Sequence, residues 1–207
     1  DATFRDVLAA ERARILRWGH LIRITTLSLW LLAALVIGWG LGFAVLRAQA
    51  GGVAVFLAAA LAWLAVGRWR PWIDRLGVYA TAAIEMPVVF VIFRESMPYA
   101  TNQGHAAGGA VALLFLLLFN SALHLHRGAV ILAGVSALVL GQTLLYASGV
   151  NLPGRTGPFL CTIVATITAL YIIKRVHGLA REVAREQAAR AHLGRYFSPA
   201  VAQQIVQ

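Results

Sequence analysis

The sequence predicts an all-α protein, a polytopic bundle of six membrane-spanning helices. Three observations predict it. The 207 residues are 60% hydrophobic, and the mean hydropathy is +0.75. That is more apolar surface than a water-soluble domain of this size can hide, so lipid has to be the solvent for much of it. The apolar residues fall in six continuous runs, 24–46, 51–67, 77–93, 108–126, 128–148 and 158–174. Each is close to the ~20 residues a spanning helix needs, and none alternates as a barrel strand would. Finally, the basic residues fall on one side. Six crossings from a cytoplasmic N-terminus leave 15 of the 18 Lys and Arg inside and only Arg47, Arg94 and Arg155 outside, a strong positive-inside bias. The chain therefore reads as a multi-pass protein of the plasma (inner) membrane with both termini cytoplasmic. The net charge of +10 is a membrane-facing basic surface, not a nucleic-acid footprint.

Residues 1–23 read as a cytoplasmic or interfacial amphipathic helix. Phe4, Val7, Leu8, Ile15 and Leu16 share one face, while Arg5, Arg12, Arg14 and Arg17 reach lipid phosphates. Trp18, Trp69 and Trp72 suit the headgroup level on that side. Residues 24–175 form the transmembrane domain, with a tight outer turn expected at Gln49–Gly52 and an inner turn at Arg68–Trp72 broken by Pro71. Outer loops are expected over 98–107 and 149–158, and a minimal inner turn at Arg127–Gly128. Gly38 and Gly42 form a GxxxG, a spacing that lets helices approach closely where lipid removes the hydrophobic drive for association. Cys161 is the single cysteine, so no disulfide framework exists.

Beyond Lys174 the composition turns polar. Residues 176–194 read as a cytoplasmic helix continuing out of the sixth span, with Val176, Leu179, Val183 and Leu193 approximating a weak coiled-coil seam that Gly194 closes. Ser198 and Pro199 then supply an N-cap and a first helical residue for another short helix.

Within 195–207, Arg195, Tyr196, Phe197, Ser198, Pro199, Val201 and Ile205 follow the pattern R-Y-F-S-P-x-V-x-x-x-I. This element resembles the junction that precedes the catalytic domain of membrane-anchored bacterial class III adenylate/guanylate cyclases. The match covers about a dozen residues, and the six-span layout is similar to the anchors of that family. The resemblance implies a homodimer whose catalytic domains make cAMP from ATP with Mg or Mn, with the membrane part as anchor and regulator. It also implies that Val176, Leu179, Val183 and the 195–199 element transmit the signal. The family's metal-binding and nucleotide-selecting residues would lie beyond Gln207, so this segment alone is expected to catalyse nothing and reads as part of a longer protein.

Glu85 is the most costly residue in the membrane part, a carboxylate near the middle of the third span. Asn120, Thr166 and Thr168 come out at similar depth and are its candidate partners, and Pro87 loosens the backbone beside it. Together they suggest a polar pocket that a lipophilic ligand reaches from the bilayer. His20, His124 and His177 lie toward the cytoplasmic side on three helices, and a facing pair of them could ligate haem in a cytochrome b-like redox module. A small transporter, with Glu85 and Asn120 lining a path, is the remaining alternative. No dinucleotide, Walker or nucleophile–base motif occurs.

Overall fold

The computed structural model describes residues 2–67 and 77–196, with side-chain surroundings for 19–66 and 77–187. The described residues are helical almost throughout, and six helices are long and apolar enough to cross a membrane. They are α1 (Ala2–Gly40), α2 (Ala44–Gly67), α3 (Gly77–Tyr99), α4 (Gln103–Leu123), α5 (Arg127–Ala147) and α6 (Leu152–Tyr196). If each of the six crosses once, the start of α1 and the end of α6 share one side, hereafter the terminal side. The inner turn expected at Arg68–Trp72 and the junction from Phe197 onward lie outside the described residues.

Two helices are much longer than a bilayer requires. α1 has 39 residues and α6 has 45. The lead-in helix expected over 1–23 is thus one element with the first span, with no break near residue 23. The helix expected from 176 is likewise one element with the sixth span, and it runs past Gly194 to Tyr196. At about 1.5 Å per residue, the part of α6 beyond Lys174 is roughly 33 Å long.

The first hairpin corrects the sequence-based boundaries. α1 ends at Gly40 and α2 starts at Ala44, so the turn is Leu41–Phe43, not Gln49–Gly52. Gly42 makes this turn by adopting φ +76°, a left-handed conformation open to glycine at no steric cost. Leu41 and Phe43 are apolar, so hydropathy runs straight through the turn and hides it. The GxxxG pair accordingly splits between two jobs. Gly42 turns the chain, while Gly38 packs so closely on α2 that an added Cβ would lie 2.8 Å from the backbone nitrogen of Arg47.

The loop between α4 and α5 also moves, from Arg127–Gly128 to residues 124–126. His124 closes α4, Leu125 takes φ +52°, and the His126 ring accepts from the Ala129 N–H at 3.3 Å, capping α5. On the distal side Asn102 caps α4 by accepting from the His105 N–H at 3.1 Å. α6 begins at Leu152, so Pro158 lies inside that helix instead of in a loop.

The helices are not packed equally. α5 is central, against α3, α4 and α6, while α1 packs along α2 and touches the rest of the bundle sparingly. The main core joins Met86 and Val89 of α3, Leu114 and Leu118 of α4, Val130 and Ala133 of α5, and Ala169 and Ile173 of α6. Gly134 of α5 lets α6 come close, since a Cβ there would meet the Thr166 hydroxyl at 2.5 Å. The outward faces, such as Leu29, Leu32, Val135, Val139, Val164 and Ile167, are exposed and apolar, as lipid contact requires. Each of the three distal arginines lies over an aromatic ring: Arg47 over Trp39, Arg94 over Phe90 and Arg155 over Tyr146, 5.1–5.9 Å from the ring centres.

Candidate functional site: a buried ion pair at a π-helical turn

Pro87 sets the local geometry of the site. It has no N–H to donate, and its ring excludes the carbonyl four residues earlier, so a regular α-helix cannot pass through. The chain responds with a π-helical turn at Thr81–Glu85, in which the Met86 N–H reaches the Thr81 carbonyl. Such turns are rare and recur at functional sites. This one turns Thr81, Ala82 and Glu85 together into the bundle.

Glu85 is only 3% exposed. Its Oε1 accepts from the Thr81 hydroxyl at 3.4 Å and forms an ion pair with Nη2 of Arg23. The arginine comes from α1, which otherwise packs mainly along α2. Its side chain is 14% exposed, and its Nε is buried without an acceptor. The pair cancels the charge that would otherwise make a mid-membrane carboxylate prohibitive, yet it leaves one strong donor unsatisfied.

The depths of the two residues explain the geometry. Glu85 lies eight residues beyond Gly77, where the third apolar run begins, about 12 Å along the helix. Arg23 immediately precedes the first apolar run, 24–46, at the terminal-side edge of that span. An arginine this shallow ordinarily extends its guanidinium out to the headgroups. Arg23 points the other way, into the bundle, because Glu85 is there.

The sequence-predicted partners of Glu85 are placed differently. Asn120 is half-buried on α4 and is not among the groups bonded to Glu85. Thr166 donates to the Thr162 carbonyl of its own helix at 2.8 Å and fills the space opposite Gly134. Thr168 is exposed. Arg23, the actual partner, is missed when it is grouped with the boundary arginines. Its signal is its position at the edge of the first apolar run, between Ile22 and Ile24, shallower than Glu85.

The histidines divide. His124 lies close enough to Arg23 and His20 to feel both, and burial together with these two neighbours pushes its pKa below the usual histidine value. His177 is separate, with its Nδ1 2.8 Å from the Ile173 carbonyl one turn back on α6. Among the described residues no group of three His, Cys, Asp or Glu could hold a metal ion.

A second polar cluster, unforeseen in the sequence, crosses three helices. Trp30 Nε1–H of α1 donates to Gln49 of α2 at 3.1 Å, and Gln49 donates to the Ser96 hydroxyl of α3 at 3.0 Å. Trp30 also stacks at a tilt on Phe93, 5.7 Å between centres. α1 is thus fastened to α3 at two levels, by Arg23 and by Trp30.

Signal transmission was expected from the far end of α6. Val176, Leu179 and Val183 lie exposed along it, and with Ile172 they form a line at spacings of four, three and four residues. Arg195 and Tyr196 are the last described residues of that helix, and Phe197, Ser198 and Pro199 lie outside the described residues. Compared with known proteins, the chain matches no family model, no curated protein and no solved structure.

Proposed function

We propose that this chain is the membrane anchor and sensor domain of a class III adenylate cyclase, with both termini in the cytoplasm. One observation carries the reading: α6 is a single unbroken helix from Leu152 to Tyr196. It joins the sixth span to the R-Y-F-S-P element without a hinge among the described residues. A rotation or shift in the bundle would therefore be delivered to whatever follows the element. A rigid lever of this kind suits an enzyme whose two catalytic domains must meet in register.

The exposed line Ile172, Val176, Leu179 and Val183 supports pairing with the same helix of a second copy, since its spacing is that of a coiled-coil seam. The asymmetric distribution of arginines supports the cytoplasmic orientation. The sensing element is the Arg23–Glu85 pair. It ties α1, which otherwise packs mainly on α2, to a π-helical turn that packs on α4 and α5, and α5 in turn packs on α6. A stimulus acts by favouring one of two arrangements of this pair. In the parent protein, Mg or Mn and ATP would be bound by the catalytic domain.

The experiment is a phase test. The chain is fused through Gln207 to a class III catalytic domain, and alanines are inserted after Arg185. One inserted residue rotates the lever by about 100°, and seven restore its face. The reading expects cAMP output to change severalfold with one residue and to return with seven. Equal output from all three fusions contradicts it.

A further inference from the structure

From the placement of Arg23 we infer that the terminal-side end of α1 is a binding site for an anionic lipid headgroup, whose phosphate competes with Glu85 for the Arg23 guanidinium. The inference deepens the proposed sensing site by naming its ligand class, and it rests on that site, not on the cyclase resemblance.

Three features of the structure carry it. Arg23 sits just before the first apolar run, 24–46, a position from which a guanidinium reaches the headgroup level. Its inward position is the unusual one, and it is maintained by a single carboxylate. The inward position is also incomplete, because Nε is buried with no acceptor. A phosphate offers several oxygens to the planar fork of the guanidinium and can engage Nε and an Nη nitrogen together. Two histidines lie near Arg23 as well. His20 is one turn nearer the terminal end on the same helix, and His124 closes α4 beside both. His124 thus lies within electrostatic reach of both Arg23 and His20.

The path is open on the lipid side. α1 packs mainly along α2, its ties to α3 being Arg23 and Trp30, and Leu21 and Ile22, next to Arg23 in sequence, are exposed. Moving the guanidinium outward therefore displaces few packed side chains. It does strand Glu85, which then needs a proton to remain in the membrane interior. A leaflet rich in anionic lipid favours the outward position, and a neutral leaflet favours the inward one. The two positions differ in whether α1 is fastened to the π-helical turn.

The test uses the full chain in bilayer nanodiscs of phosphatidylcholine, alone or with phosphatidylglycerol. Co-purified lipid is counted by native mass spectrometry. Glu85→Gln removes the competitor, and retained phosphatidylglycerol is expected to rise about fivefold, the scale of one arginine at an anionic surface. The double variant Arg23→Gln/Glu85→Gln leaves this pair's charges out of the bundle, and its retention should fall back to the wild-type level or below, where the other basic residues hold it. Equal retention in wild type, single and double variants overturns the site. A parallel arm adds inorganic phosphate against chloride at matched ionic strength. No extra displacement by phosphate is expected. Specific displacement would assign the site to free phosphate and overturn the lipid. Because retention is read without enzymatic output, a negative result leaves the signalling reading standing, and a silent cyclase fusion leaves the lipid site standing.

Discussion

Arg23 of α1 and Glu85 of α3 form an ion pair in which the shallower residue reaches toward the deeper one. The two partners are not equivalent. Arg23 has somewhere else to go, because its long stem can carry the charge to the headgroups. Glu85 does not, since it is 3% exposed and about 12 Å deep.

This asymmetry predicts unequal costs. Arg23→Gln strands a buried carboxylate and should destabilise the bundle by about 3–5 kcal/mol, the usual range for breaking a buried pair from one side. Proton uptake by Glu85 would trim that figure. Glu85→Gln should cost clearly less, and the double variant should recover most of the loss. Unfolding of the purified protein in mixed micelles measures all three. Equal destabilisation by the two single variants would contradict the snorkelling argument.

The close approaches of Gly38 and Gly134 predict a second ordering. A Cβ at Gly134 meets the Thr166 side chain, which can give way or be shortened. A Cβ at Gly38 meets the backbone of Arg47, which cannot. Gly38→Ala should therefore cost more than Gly134→Ala, with both within the about 1–3 kcal/mol typical of overpacking. Adding Thr166→Ala should relieve Gly134→Ala and leave Gly38→Ala unchanged. The same unfolding assay decides it.

His124 predicts a dependence on pH. Burial, Arg23 and His20 hold its folded pKa below its ordinary value of 6.5. The unfolded chain thus takes up a proton more readily than the folded one, and stability falls as the medium becomes acidic. The contribution should be complete above about pH 6.5 and be lost as pH falls through the folded value. His124→Gln should flatten that part of a melting-temperature profile. An unchanged slope would show that His124 does not carry it.

Much of this architecture was legible from the sequence, and the rest was hidden for definite physical reasons. Helix number and type follow from apolar runs of spanning length, and these survive in the structure. The first hairpin was misplaced because Leu41 and Phe43 give the turn the hydropathy of a span, while Gln49 and Gly52, which look like turn residues, sit inside α2. Gln49 is tolerated there because Trp30 and Ser96 satisfy its amide. The cost of Glu85 was legible, as was the disturbance at Pro87. Its partner was not, because depth alone ranks candidates by level and cannot say which side chains cross between helices. Asn120 matches Glu85 in depth but does not bond to it, whereas Arg23 differs in depth and makes up the difference with its own length.

The central claim is that the state of the Arg23–Glu85 pair is delivered along α6. Cyclic AMP output from the catalytic-domain fusion, compared between wild type and Glu85→Gln in the same membranes at matched expression, tests it most directly. Release of α1 from the π-helical turn should shift output severalfold, and a one-alanine insertion after Arg185 should abolish or invert that shift. If Glu85→Gln leaves output at the wild-type level, the buried pair is a packing feature and the account fails.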